Sequence, residues 1–480
     1  MKRINVLDAA WLAIDSNETP MHIGNLQIFS PPKGAPDTFL RDMVARMKKS
    51  NDVVPPWVFK LAYPGPLGRR VLPVWKKDRV IDLDYHVRHS ALPRPGGERE
   101  LGVLISRLHS NHLDIQRPLW EVHIIEGLER GRFAIYTKIH HSLIDGVSGI
   151  RALERTLTDD PNRLRLLPPW SNSPKRKTRI AHHDDIPTIQ GALHQAIDLI
   201  REQVSTVPSL VGALGKLVYS GTLDKRHELA APFIGPQSVL NNRVSAQRRF
   251  ATQQYSLDRL KTLANAIDGS LNDLVLYLCG TALRRFLRAS GHLPDEPLTA
   301  GIPVNIRPAD DTSTGTAISF MIASLGTNIN DPLKRLETIK HSTQTAKRHL
   351  QSLPRTVLTQ YTMLLMSPYI LQLLTGLGGR MRPAFNFTIS NVAGPEPVLY
   401  YEGAKMEAMY PLSLIAHGGA LNITCLSYAG SLNFGYTGCR NTLPGMQNLA
   451  VFSGEALQEL EALVLKPVAK PRARTRRKRA

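Results

Sequence analysis

Between residues 132 and 150 the chain reads RFAIYTKIHHSLIDGVSGI, and no other run constrains the fold as much. Phe133, Ile135, Thr137 and Ile139 alternate with Ala134, Tyr136 and Lys138, which is the period of a strand. Two adjacent histidines follow. Gly146 and Gly149 then loosen a turn, and Val147, Ile150 and Leu153 begin a helix. A strand that empties through a turn into a helix is a building unit of layered α/β folds. If the alternation persists, His141 joins the apolar side of the strand and His140 the other side, so both rings cannot enter one cavity.

The same alternation marks 21–29 (MHIGNLQIF) as a strand, while PDTFLRDMVARMKKS and ERELGVLISRLHSNH carry one-sided helical spacing. Around 168–189 the chain turns rich in Pro, Ser and charge, and a helical stretch spans roughly 190–219. A second mixed region opens with a strand that gives way to a helix at Ser256, whose hydroxyl caps it, and a longer buried helix follows Asn272. Strands return at LTAGIPVNI, FNFTISNVAG and GALNITCLSYAGSLNFGYTG, the last a hairpin turning at YAGS. At 480 residues the chain is too long for one ordinary core, so two domains are expected. The division is an N-terminal domain at 1–167, a linker and connecting helix at 168–235, a C-terminal domain at 236–463 and a tail at 464–480. The expected fold class is two-domain α/β, with mixed sheets flanked by helices.

Composition excludes several classes. With 42% apolar and 21% charged residues, wholesale disorder is out. Cys279, Cys425 and Cys439 form neither a CxxC pair nor an even framework; they read as small core residues in a reducing compartment. The N-terminus lacks a signal peptide's apolar core. No stretch reaches the ~18 uninterrupted apolar residues of a spanning helix. The nearest, 356–379, reads as a buried helix pair broken at Pro368, which could line an acyl pocket, or as a membrane-dipping segment. The net charge of +20 is partly a matter of the last fifteen residues, which hold eight basic residues and no acid. Such a disordered tail suits an anionic lipid surface, a polyanion, or simple solubility.

The pattern HHxxxDG at His140, His141, Asp145 and Gly146 is where the chemistry concentrates. A histidine at a strand-to-turn junction, neutral at pH 7, suits removal of a proton from an alcohol or amine. Asp145 is placed to orient an imidazole or to brace the turn through an arginine. The paired histidines of AHHDD at 181–185 lack the glycine and lie in the charged linker, so they read as solvated loop. Adjacent histidines on opposite faces make poor metal ligands, and no further ligand follows at a recognisable spacing. No GxSxG supplies a serine nucleophile.

HHxxxDG is the signature of the coenzyme-A-dependent acyltransferase superfamily, and about residues 1–460, leaving out the linker and basic tail, resemble its wax ester synthase/diacylglycerol acyltransferase branch. The likeness rests also on the opening LDAAWLAIDSNETPMHIGNLQIF, on the Pro118-Leu119-Trp120 element, on Asn272-Asp273 in SLNDLVLYLCGTALRRFL, and on GIPVNIRP, ISFMIASL and SNVAGPE in order. Ala393 departs from the family's usual proline. The resemblance implies an active site in a channel between the domains, entered by acyl-CoA from one side and by a fatty alcohol or diacylglycerol from the other. His141 would be the general base, His140 would support it, Asp145 would be largely structural, and Gly146 would permit the turn. Arg307 would meet Asp145. Asn272 and Asp273 would either cap their helix or shape the site, and Trp120 would anchor packing. Acyl-CoA is then a co-substrate, with no cofactor or metal. The implied location is cytoplasmic, at the inner face of the plasma membrane or at lipid inclusions. Two other readings stay open: a condensation-type enzyme using a carrier-bound acyl donor, and a non-catalytic protein binding lipid or polyanion. No specific nucleic-acid partner is expected.

Overall fold

In the computed structural model, which describes residues 1–171, 230–305 and 318–465 apart from positions 5, 51, 72 and 165, the strand ending in the double histidine is interior to a six-stranded sheet. This motif strand, Phe133–His140, is buried at all eight residues. It sends Phe133, Ile135 and Ile139 into one apolar cluster and Ala134 and Tyr136 into another on the opposite face. The alternation in its sequence is therefore between two cores rather than between core and water. Strand His22–Ser30 pairs with it antiparallel, setting His22 opposite His140. Strand Trp120–Glu126 flanks its other side, also antiparallel, and Val87–Ala91 completes that edge in parallel.

The far edge of this sheet comes from the other end of the chain. Ala404–Leu412 pairs antiparallel with His22–Ser30, and Tyr400–Tyr401 pairs with Ala404–Leu412. A division at 1–167 and 236–463 assigns these strands to the second domain, whereas hydrogen bonding places them in the first sheet. Helices Phe39–Lys49 and Gly146–Glu154 cover one face of the sheet through Met43, Met47, Ile150 and Leu153. Helix Glu98–Ser110 covers the other through Leu101, Leu104, Ile105 and Leu108.

The second six-stranded sheet runs in the order Ile318–Ser324, Thr299–Asn305, Phe387–Val392, Leu421–Tyr428, Ser431–Cys439 and Arg248–Ser256. Its pairings are both parallel and antiparallel, so both sheets are mixed. The expected hairpin closes through Ala429 and Gly430, both at positive φ (43° and 76°), the two-residue turn whose twist matches a hairpin. Ser256 caps helix Leu257–Ala266 by accepting the Arg259 N–H. The long helix Leu271–Ala289 fills the core beside Asn448–Val464 and Pro332–Gln351. All three cysteines are buried and free.

Pro368 does not break its helix. Arg355–Leu374 is one continuous helix with the proline inside it. A proline cannot donate to the carbonyl four residues back; here the Ser367 hydroxyl donates to that carbonyl, Leu364 O, at 2.7 Å. Nor is this helix fully buried. Val357, Leu358, Tyr361 and Leu365 face the core, while Met363, Leu371 and Leu374 are more than half exposed. The helical stretch at 190–219, the AHHDD motif and the basic tail lie outside the described residues.

Candidate active site

The backbone of each histidine is held by a different neighbouring strand. The His140 N–H donates to Leu119 O at 2.9 Å, and the His141 N–H donates to Met21 O at 2.9 Å. Regular strand ends at His140, yet the ladder reaches one residue further. The two rings meet different partners in the same N-terminal segment, His140 approaching Asp15 and His141 Trp11. His140 is 2% exposed and its Nδ1 lies 2.7 Å from Ser142 Oγ. His141 is half-buried, and its ring packs on Trp11 with centroids 4.6 Å apart. Trp11 belongs to the N-terminal helix Val6–Ile14.

Desolvation governs the base candidate. Burial, with the neighbouring His140, outweighs the attraction of Asp145 and pushes the His141 imidazole down to about 4. At neutral pH this ring is unprotonated and ready to accept a proton, and its conjugate acid, once formed, gives that proton up readily.

Asp145 caps a helix. It is exposed, its Oδ1 accepts the Ser148 N–H at 2.8 Å, and its Oδ2 accepts the Ser148 hydroxyl at 2.8 Å. Aspartate is a favoured cap because its carboxylate satisfies N–H groups left over in the first turn. Of the roles open to Asp145, its carboxylate takes a structural one, capping the helix that follows the motif. Arg307, proposed as its partner, lies outside the described residues. Gly146 is the first helical residue, without positive φ, and a β-carbon there would meet nothing within 4 Å. Its small size leaves the helix start open; the turn itself does not require it.

Two domain models cover most of the chain: the wax ester synthase/diacylglycerol acyltransferase catalytic domain matches residues 4–275, and the C-terminal domain of the same family matches 314–461. A Mycobacterium tuberculosis (strain H37Rv) protein bearing a diacylglycerol O-acyltransferase name is 45% identical over 96% of this chain and 97% of its own. The O-acyltransferase WSD of Acinetobacter baylyi is 38% identical over 97% and 98%. The chain belongs to the wax ester synthase/diacylglycerol acyltransferase family. The solved wax ester synthase/diacylglycerol acyltransferase of Marinobacter aquaeolei superimposes with a TM-score of 0.77 at 34% identity, covering 97% of this chain and all of that one. A condensation domain of the calcium-dependent antibiotic synthetase shares the fold at a TM-score of 0.57 and 16% identity over 98% of both chains.

Within this family member, the Pro118-Leu119-Trp120 element is backbone support for the motif strand. Leu119 supplies the carbonyl under His140, and the Trp120 N–H closes on Pro118 O at 2.9 Å. Trp120 is fully buried, its indole N–H donates to Trp57 O at 2.8 Å, and its ring stacks on His86 and Trp170. It anchors packing, as expected. Of the two roles open for Asn272-Asp273, Asp273 shows the capping one, as the third residue of a capping box whose N-cap is Ser270. Its Oδ2 accepts from the Ser270 N–H and hydroxyl, the Asp273 N–H returns to Ser270 Oγ, and Oδ1 accepts the Thr343 hydroxyl. Asn272 is half-buried and makes none of these bonds.

Beneath the motif strand lies a buried charge cluster. Lys138, fully buried, sits 3.0 Å from Glu121 Oε2 and donates to Leu108 O and Asn111 O. Glu121 also takes Arg88 and His123, each at 3.2 Å. Burial pushes the Glu121 carboxyl up, but the His123 hydrogen bond and the Lys138 charge prevail and hold it at about 2. Sequence inspection does not single out Trp11, Asp15, Glu121 or Ser142. The spacing of Trp11 and Asp15, one helical turn apart and just before a strand, is the only local signal they carry.

Proposed function

We propose that the protein transfers a long-chain acyl group from acyl-CoA to the hydroxyl of a long-chain alcohol, diacylglycerol, or both. The observation that carries this reading is a neutral, half-buried His141 at the end of a pinned strand, in a chain of this family. His141 takes the proton from the acceptor hydroxyl as its oxygen attacks the thioester carbonyl. The C–S bond breaks, the imidazolium returns the proton to the departing thiolate sulfur, and ester and free CoA leave. Atoms and charge balance without a cofactor, a metal or a covalent enzyme intermediate. The low proton affinity of His141 makes it a modest base and its imidazolium a strong acid, which favours the second half of this shuttle.

Thiol release from palmitoyl-CoA tests the reading, with hexadecanol or a diacylglycerol as acceptor. Release that depends on acceptor is expected with at least one of them, and their ratio gives the preferred product. No acceptor-dependent release with either would leave the carrier-bound donor or a binding role instead.

The enzyme works at a lipid surface on the cytoplasmic side, where its apolar substrates partition. Among the described residues no helix is long and apolar enough to cross a membrane. The contact assigned here is peripheral: Met363, Leu364, Leu371 and Leu374 present one apolar face of helix Arg355–Leu374, extended by Leu377 and Met381 and bordered by the exposed Arg380, while Arg382 is paired with Glu296 at 2.8 Å. An apolar face with a basic border matches an anionic bilayer. Substituting Met363, Leu371 and Leu374 together by serine is expected to weaken co-sedimentation with phosphatidylglycerol-containing vesicles by roughly tenfold or more. Unchanged binding would remove this helix from the contact, and equal binding to duplex DNA at the same salt would point to the basic charge alone.

A further inference from the structure

The buried carboxylate of Asp15 has no part in the shuttle above, yet it lies against the histidine pair. Its Oδ1 accepts the Met21 N–H at 2.9 Å, its Oδ2 lies 2.6 Å from His112 Nε2, and Arg69 approaches to 3.7 Å. His140 Nε2 is 3.7 Å from Asp15 Oδ1 and is buried, with no hydrogen-bond partner among the described residues. On the other side of the same ring, the Ser142 N–H donates to His140 Nδ1 at 3.2 Å, with Ser142 Oγ at 2.7 Å.

These contacts decide the tautomer. A backbone N–H is only a donor, so Nδ1 must offer a lone pair and the ring proton must sit on Nε2. That N–H points to the side where Asp15 waits. His140 therefore cannot use Nδ1 as a base, because Ser142 already occupies it. The row Asp15, His140, Ser142 holds the residues on both sides of His141. Burial alone would raise the Asp15 carboxyl; the His112 hydrogen bond and the adjacent His140 hold it far below the usual carboxylate range, so it is an anion at any pH where the enzyme works.

We propose that Asp15 is a positioning residue for acyl transfer: its carboxylate faces the Nε2–H of His140 across 3.7 Å, steadies by its charge the tautomer that the Ser142 N–H selects, and so clamps the two neighbours of the base His141. The proposal rests on the reading of His141 as base. A base displaced by an ångström can cost on the order of a hundredfold in rate, and a clamp on residues 140 and 142 prevents such drift.

The test uses full-length wild type, Asp15→Asn, Asp15→Glu and His140→Ala, with Asp15→Asn also made in the His140→Ala background. Asp15→Asn is expected to lower kcat roughly 10- to 100-fold while KM for palmitoyl-CoA stays within about twofold. Asp15→Glu should recover most of the rate. In the His140→Ala background, Asp15→Asn should cost less than about twofold, because the partner it acts through is gone. A rate within twofold of wild type for Asp15→Asn, or a loss that persists undiminished without His140, overturns the proposal. The 15N chemical shifts of the His140 ring in the wild type supply a readout independent of turnover and of any variant's folding. A protonated Nδ1 at neutral pH would overturn it. An Nε2–H tautomer whose Nε2 shift moves in Asp15→Asn supports it even if the wild type turns over neither acceptor, which separates failure of the clamp from failure of the acyltransferase reading.

Discussion

Replacing His141 with alanine is expected to slow acceptor-dependent CoA release by about 10²- to 10⁴-fold, the usual worth of a positioned general base. His141→Ala keeps the backbone bond to Met21 O and removes chiefly the ring's contact with Trp11, so the variant should fold. The pH dependence is the sharper signature. Burial holds His141 at about 4, so kcat/KM for the wild type should be level from about pH 5 to pH 8 and fall below that as the imidazole takes up a proton. An ordinary histidine would place the fall near 6.5 instead. Wild-type activity in His141→Ala would shift the base elsewhere, and His140 is a poor successor because Ser142 occupies its Nδ1. An acid limb near 6.5 in the wild type would mean that His141 is hydrated in the working enzyme.

Glu121→Leu is expected to destabilise the fold by about 3–5 kcal/mol, the cost of leaving a buried charge without its partner. Lys138 has no exposed surface, and Glu121 is the carboxylate that balances it. The sign with pH follows from the depressed carboxyl. Its stabilisation is complete above the unfolded value near 4.5 and disappears as pH falls toward about 2, so the difference between wild type and variant should shrink in acid. Adding Lys138→Met to Glu121→Leu removes the orphaned cation and should restore much of the stability. Urea denaturation at pH 7 and pH 3 measures both effects. A loss under about 1 kcal/mol for Glu121→Leu at pH 7 would show that Lys138 finds water or sheds its proton. Because Lys138 lies two residues before His140, the same cluster also holds the strand that delivers the histidines.

Several elements are legible in the chain itself because their causes are local. Alternation over 133–140 sets a strand, Ser256 a cap, and the positive-φ turn at Ala429-Gly430 a hairpin. Pro368 shows the limit: a proline predicts a break from its own missing N–H, but the hydroxyl of Ser367 on Leu364 O keeps the helix whole. The exposed face of that helix was equally hidden, since an apolar composition does not say which side meets a core.

The candidate site divides in the same way. HHxxxDG marks a histidine able to take a proton, and strand period alone predicts different surroundings for His140 and His141. That the charge beside His140 is Asp15, that Trp11 carries the ring of His141, and that strand Ala404–Leu412 crosses into the first sheet were decided only by the tertiary structure. The reason is physical. Periodicity and caps act over a few residues, whereas these contacts join positions 125 to nearly 400 residues apart, and they exist only after the chain has folded.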